Sequence, residues 1–201
     1  VPGPAEERDD GGVDPSPASD DSGTSTRGRL LVATPDLRDP NFSRSVVLVL
    51  EHAAEGALGV ILNRPTDVRV AEALPDWAEV CAEPACLYLG GPVQPDAVIA
   101  LGRPRDGAVP VGYRELGPGF GTVDLDAAVD PFAGVRVFVG YAGWGPGQLD
   151  GELAAGGWIV VDREQPDALT SDPSNLWRAV LRRQPGRISM FALAPEDPSV
   201  N

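Results

Sequence analysis

The stretch Val135-Arg136-Val137-Phe138-Val139-Gly140-Tyr141-Ala142-Gly143-Trp144-Gly145-Pro146-Gly147-Gln148-Leu149-Asp150-Gly151-Glu152-Leu153 decides the fold. Val135 to Val139 is a short apolar run with the length and composition of a buried central strand. The glycines at 143, 145 and 147 let backbone approach backbone or ligand closely, and Pro146 suits the first position of a helix. Gln148 and Glu152 are four apart and share a helix face, while Leu149 and Leu153 form the neighbouring apolar seam. The stretch therefore predicts strand, glycine-rich turn and short helix in succession.

Working outward, Trp158 to Val161 is a second central-type strand. Arg29 to Thr34 is a strand broken by Pro35. Ser45 to His52 and Ala57 to Asn63 are β-rich runs whose spacing suits a hairpin. Thr66 or Asp67 could cap a helix carrying Val68, Ala71 and Leu74, which Pro75 must end. Leu87 to Leu89 and Ala97 to Leu101 are further strands, and residues 102–123, rich in Gly and Pro, predict long loops with at most short strands. Asp172 and Pro173 open a last helix with Leu176, Trp177, Val180 and Leu181 on one face, and Gly186 follows its end. Strands outnumber helices and come in both hairpin and crossover spacings, so the expected class is α+β with a mixed sheet.

Residues 1–27 are an acidic Pro/Gly/Ser-rich tail, expected to be disordered because so few apolar residues cannot offset the entropy of ordering. Residues 28–201 are then a single domain of ordinary size. No run approaches a membrane span, and no basic segment leads into an apolar one at the start, so the expected setting is cytoplasmic, with no membrane contact.

All 16 basic residues are arginine. Without lysine, a Schiff-base nucleophile, a pyridoxal-phosphate anchor and a P-loop are excluded. The net charge is −14, of which the first 27 residues contribute −5 and the remainder −9. An acidic field repels phosphate backbones, which disfavours nucleic acid as a partner. Arg178, Arg182, Arg183 and Arg187 form the basic cluster, whose position near a helix C-terminus complements the macrodipole. Cys81 and Cys86 are spaced as neither a CxxC pair nor a zinc framework and are expected as isolated, partly buried thiols.

His52 is the one histidine in the chain, too few for a His₂ or His₃ metal site, and no compact carboxylate cluster replaces it, so no metal or other cofactor is expected. Its expected partner across the hairpin is Asn63 or Arg64. A triad would need Ser43 or Ser45, and no GxSxG elbow is present. Arg64 could present its guanidinium to an anionic ligand or pair with Glu152 or Asp39. The turn after Val139 could hold a phosphate or carboxylate on free N–H groups at the helix start, or serve as a tight corner packed by Trp144. Asp162 lies 19 residues after Gly143, but the glycines do not match the dinucleotide fingerprint.

Several segments together resemble the YqgE/AlgH family of bacterial proteins: Gly28 to Pro35, Asp39-Pro40-Asn41-Phe42, His52, Gly56 to Pro65, Gly90-Gly91-Pro92-Val93 and Tyr141 to Leu153, with Trp158 and Trp177. The resemblance spans nearly all of residues 28–193. It implies a bulged mixed β-sheet partly folded on itself, flanked by helices and long loops, and no established activity; some members carry a regulator label. The chain departs from the pattern after Val98, where Gly102 and Arg103 stand in place of an expected histidine. The expected function is therefore a non-enzymatic regulatory role, binding an unknown protein or a small anionic ligand. Candidate contacts are His52, Asn63, Arg64, Trp144, Gln148 and Glu152. The alternatives are a hydrolase or transferase using Glu152 or His52 as base, and a DNA-binding regulator.

Overall fold

The computed structural model describes residues 25–195 except 107 and 109. Among them are ten strands: Leu30–Ala33 (β1), Val46–Ala53 (β2), Gly56–Ile61 (β3), Pro65–Arg69 (β4), Cys86–Leu89 (β5), Val93–Pro104 (β6), Arg114–Gly117 (β7), Phe120–Val123 (β8), Phe132–Trp144 (β9) and Trp158–Val161 (β10). The helices are short: Val70–Ala73 (α1), Gln148–Ala154 (α2) and Leu176–Arg182 (α3), with 3₁₀ turns at Pro75–Val80, Pro173–Asn175 and Gly186–Leu193. The class is α+β.

The sheet runs β10-β1-β2-β3-β9-β6-β8-β7, with β5 lying between β4 and β9. Every pairing is antiparallel except β5 with β9, where Tyr88 faces Phe138 and Leu89 faces Val139, so the sheet is mixed. Bulges interrupt the β2–β3, β4–β5, β6–β9 and β7–β8 ladders. The order starts at β10 and stops at β7 without closing into a barrel.

β1 reads Leu-Leu-Val-Ala and all four residues are buried, because both faces of the sheet are covered. Leu30 and Val32 join Leu48, Val60, Phe138 and the α3 face of Leu176, Trp177, Val180 and Leu181. Leu31 and Ala33 join Val47, Val49, Ala57, Trp144, Leu149 and Trp158 on the other side. A third cluster, around Trp77, Phe132 and Val135, sits under the β6–β8 end.

β9 organises both halves. Its Phe132-to-Tyr141 stretch pairs with β6, and Ala142, Gly143 and Trp144 turn to β3 opposite Gly59, Leu58 and Ala57. Just before the switch of partner stands Gly140, whose φ is +66°. A Cβ at that position would stand 2.5 Å from the Gly91 carbonyl, so the Gly90-Gly91 segment and β9 cross at a distance that only glycine allows.

Three expectations need correction. The glycine-rich turn after Val139 is strand as far as Trp144, because ladder bonds to β3 outweigh the low strand preference of glycine. The helix begins only at Gln148 after Gly147 in the left-handed region, so Pro146 does not occupy its first position. The helix expected from Thr66 is replaced by β4 and the single turn α1, for Thr66 Oγ1 donates to the Leu87 carbonyl at 2.8 Å and Arg69 pairs with Cys86. Val68, expected inside, is 45 % exposed. The folded body also extends back to Ser25, since Thr26 is buried; the rest of the expected tail, residues 1–24, lies outside the described residues.

Candidate functional site

α2 carries Glu152 beneath the end of β9. The Glu152 carboxylate accepts from Trp144 Nε1 at 3.0 Å and Trp158 Nε1 at 2.8 Å, both on Oε2, and from Gln148 Nε2 at 2.9 Å on Oε1. Gln148 turns its own Oε1 to the Gly145 N–H at 3.1 Å. The two indoles meet edge to face at 6.0 Å, and Phe42 stacks on Trp144 at 6.2 Å while meeting Trp158 edge-on at 5.6 Å. Trp144 and Trp158 are 6 % and 4 % exposed, so each indole N–H depends on this carboxylate for a partner. Of the turn amides before α2, that of Gly145 is taken by the Gln148 side chain.

Asn63 and Arg64 do not line this cluster; they hold the segment that completes it. Asn63 Oδ1 accepts from the Val46 N–H at 2.9 Å and its Nδ2 donates to the Arg44 carbonyl at 2.9 Å. Arg64 Nη2 donates to the Ser43 carbonyl. Ser43 and Arg44 follow Phe42 directly, so the Asn63-Arg64 pair fixes the loop that lays Phe42 on the indoles. Arg64 makes no ion pair with Glu152 or Asp39, and burial lowers its pKa.

His52 faces neither Asn63 nor Arg64. Opposite it on β3 is Ala57, and Ala57 is in turn opposite Trp144. Its Nδ1 receives the Thr26 backbone N–H at 3.3 Å and lies 3.0 Å from Thr26 Oγ1. A nitrogen that accepts from a backbone amide carries no hydrogen, which puts the proton on Nε2, 3.6 Å from Asp150 Oδ1. The arrangement superficially suggests a Thr-His-Asp relay. Thr26, however, is 3 % exposed, and neither it nor His52 lines the groove beside Trp144. It is a tether from the chain entry to α2. His52, Trp144, Gln148 and Glu152 thus gather at one end of the sheet, with Asn63 and Arg64 behind the loop.

The cysteines are free and partly buried. Burial pushes the Cys81 thiol up to about 11, so it is protonated at neutral pH and a poor nucleophile. Among the described residues no group of three or more His, Cys, Asp or Glu could hold a metal ion. Beside the cluster, an open groove of about 450 Å³ is walled by Glu51, Glu55, Ala57, Val93, Tyr141 and Trp144. Phe42, Trp158, Thr26 and Asp150 were not among the expected contacts. The Asp39-Pro40-Asn41-Phe42 motif was the available signal for Phe42; nothing in the spacing pointed to Thr26 or Asp150.

Fold and site define a class of protein: a bent, bulged mixed sheet covered on both faces, with a carboxylate locked between two indoles at one end. The chain belongs to the UPF0301/YqgE/AlgH family, whose model, described as AlgH-like, matches residues 30–189. It is 49 % identical over 186 residues to the UPF0301 protein SCO2948 of Streptomyces coelicolor, covering 89 % of this chain and 96 % of that one. It is 44 % identical over 181 residues to the UPF0301 protein ML0028 of Mycobacterium leprae, covering 87 % and 90 %. Among solved structures, protein DIP2367 of Corynebacterium diphtheriae superposes with a TM-score of 0.78 at 31 % identity, over 82 % of this chain and 90 % of that one. The solution structure of AlgH from Pseudomonas aeruginosa gives 0.61 at 28 % identity, over 88 % and 97 %. No helix among the described residues is long and apolar enough to cross a membrane.

Proposed function

We propose that this protein is a non-enzymatic binding protein with a regulatory role, acting by contact with a partner protein. One observation carries this reading: the side chains best suited to acid, base or nucleophilic work are already engaged within the fold. Glu152 accepts three N–H bonds, His52 accepts from Thr26, and Cys81 stays protonated. A general base needs a lone pair free to face a substrate; three of the roughly four acceptor sites of the Glu152 carboxylate are taken, and His52 Nδ1 is taken by Thr26, which favours binding over acid–base work. Free cysteines fit a reducing, cytoplasmic setting.

The groove beside Trp144 supports a protein contact of defined chemistry. Glu55 supplies negative charge and Glu51, 3.6 Å from Arg114 Nη1, adds a partly shared one, in a chain of net charge −14, while Val93, Tyr141 and the Trp144 edge supply apolar surface. An extended segment bearing arginine or lysine beside an apolar side chain complements both. This disfavours an anion at the groove and favours a basic peptide.

The test is fluorescence anisotropy of a dye-labelled nonapeptide pool, each peptide carrying two arginines and one leucine. Expected are micromolar affinities that fall as salt rises and weaken at least about fivefold with Glu51→Gln and Glu55→Gln combined. Absence of binding at about 100 μM, a concentration ample for a micromolar contact, removes the groove. Hydrolase or transferase turnover abolished by His52→Ala or Glu152→Gln would replace the binding reading with the enzymatic one.

A further inference from the structure

At the opposite end of the sheet, two adjoining clefts of about 380 and 440 Å³ share Arg103, Gly119, Ala133 and Gln165 as walls. Together they reach the size of sites that bury small organic ligands. The first lobe is closed by Val80, Cys81, Phe120, Pro166 and Leu169, with Arg163 among them. The second adds Arg105 and Asp106.

The arginines here are short of partners. Arg103 is exposed and makes no hydrogen bond or ion pair with a described residue. Arg163 lies flat over the Phe120 ring at 4.7 Å, and its buried Nη1 has no hydrogen-bond partner. The acids beside Arg163 in the chain spend their hydrogen bonds elsewhere, although the charge of Asp167 still acts on Arg163. Both oxygens of Asp167 are held by Arg183, at 2.7 and 2.6 Å, and Glu164 lies 3.4 Å from Arg183 Nε. Arg105 uses only Nε, on the Asp130 carbonyl at 2.8 Å. Against these three guanidinium groups the walls set two carboxylates, Glu79 and Asp106. An acidic protein thus keeps a locally positive, half-apolar hollow lined by a guanidinium whose sealed Nη1 has no acceptor within the fold, and a small turn of that side chain would bring the unpaired donor into the hollow, relieving a costly state.

We propose that this hollow binds a small molecule with an anionic head, phosphate or carboxylate, on an apolar body. The head bridges Arg103 and Arg163, whose planar forks match either group, and Gln165 adds an amide. The body lies against Leu169, Pro166 and the Ala133-Gly134 backbone. The Cys81 thiol in the wall is protonated and takes no covalent part. This site is separate from the acidic groove and stands or falls independently of it.

The test is isothermal titration calorimetry of the full chain with phenyl phosphate, benzoate and inorganic pyrophosphate. Binding of phenyl phosphate or benzoate is expected, and whichever is tighter identifies the head group. Arg103→Ala and Arg163→Gln should each weaken it about tenfold, as loss of a charge-assisted pair implies. Arg69→Ala, exposed on β4 and outside the hollow, should leave it unchanged. Circular dichroism checks folding; should Arg163→Gln unfold through loss of the Phe120 stack, the exposed Arg103→Ala variant decides. No heat from any of the three at 5 mM, on the order of the weakest affinity a paired anion gives, overturns the proposal. So does binding that survives Arg103→Ala, or binding of pyrophosphate alone.

Discussion

Replacing Glu152 with alanine should destabilise the protein well beyond what an ordinary helix-surface substitution does. The change strips the acceptor from Trp144 Nε1 and Trp158 Nε1, in rings that are 6 % and 4 % exposed. Each buried donor left without a partner costs about 1–3 kcal/mol, and the rings leave little room for water to compensate. Gln148 is exposed and rehydrates at small cost. The expected loss is about 3–4 kcal/mol, or roughly 6–16 °C in Tm for a domain of this size. Glu152→Gln separates charge from shape. Its amide oxygen can still accept both indoles, but its N–H₂ then meets the Gln148 amide, which is fixed by the Gly145 N–H. About 1–2 kcal/mol is expected there, and under 1 kcal/mol for Gln148→Ala. Thermal unfolding followed by near-ultraviolet circular dichroism and tryptophan emission reads all three. A Glu152→Ala variant within about 0.5 kcal/mol of the parent, the range of an unremarkable surface change, would refute the carboxylate's role as the pin of this corner. A Glu152→Gln variant as damaging as alanine would do the same.

Other outcomes follow from the same geometry. Asn63→Asp keeps the acceptor for Val46 but turns a carboxylate oxygen toward the Arg44 carbonyl, so a loss of about 2–3 kcal/mol by urea unfolding is expected at this buried position; a neutral result would detach Asn63 from the loop. Gly56→Ala would place a Cβ 2.3 Å from the Trp144 carbonyl at a φ of +133°, and loss of soluble protein or more than about 3 kcal/mol is expected, measured by expression and melting. Burial raises Cys81 to about 11 and Tyr88 to about 12, so the folded state keeps protons that the unfolded chain releases from pH 9 and 10 upward. The contribution of these two groups should therefore be constant below pH 9 and be lost from there toward pH 12, and the loss should shrink in Cys81→Ser. A flat profile over that window would contradict it.

Much of the architecture was legible because it rests on local composition. Runs such as Val46 to Leu50 and Trp158 to Val161 are too apolar and β-branched to be anything but covered strand, and the α3 face of Leu176, Trp177, Val180 and Leu181 is buried as its spacing required. That Gln148 and Glu152 share a face was legible for the same reason, their spacing being a property of one helix, and the structure joins them by a hydrogen bond. The stretch after Val139 was misread, since glycine reads locally as a turn, yet here it admits close pairing with β3. Thr66 to Leu74 was misread because a cap signal cannot compete with a strand edge brought from residues 86–89.

Composition, periodicity and motif order by themselves determined the fold class, the family and the exclusion of lysine chemistry. Which polar groups face one another was decided only in three dimensions, because a side chain's partner depends on register and crossing distance rather than on its neighbours in the chain. Asn63 and Arg64 became braces for a loop, His52 a tether to Thr26, and Arg136 a fully buried cation held by the carbonyls of Glu83, Ala168 and Thr170 and stacked on Tyr88. Arg103 and Arg163, 60 positions apart, became neighbours around one hollow for the same reason: β6 and the segment after β10 meet only in the folded chain.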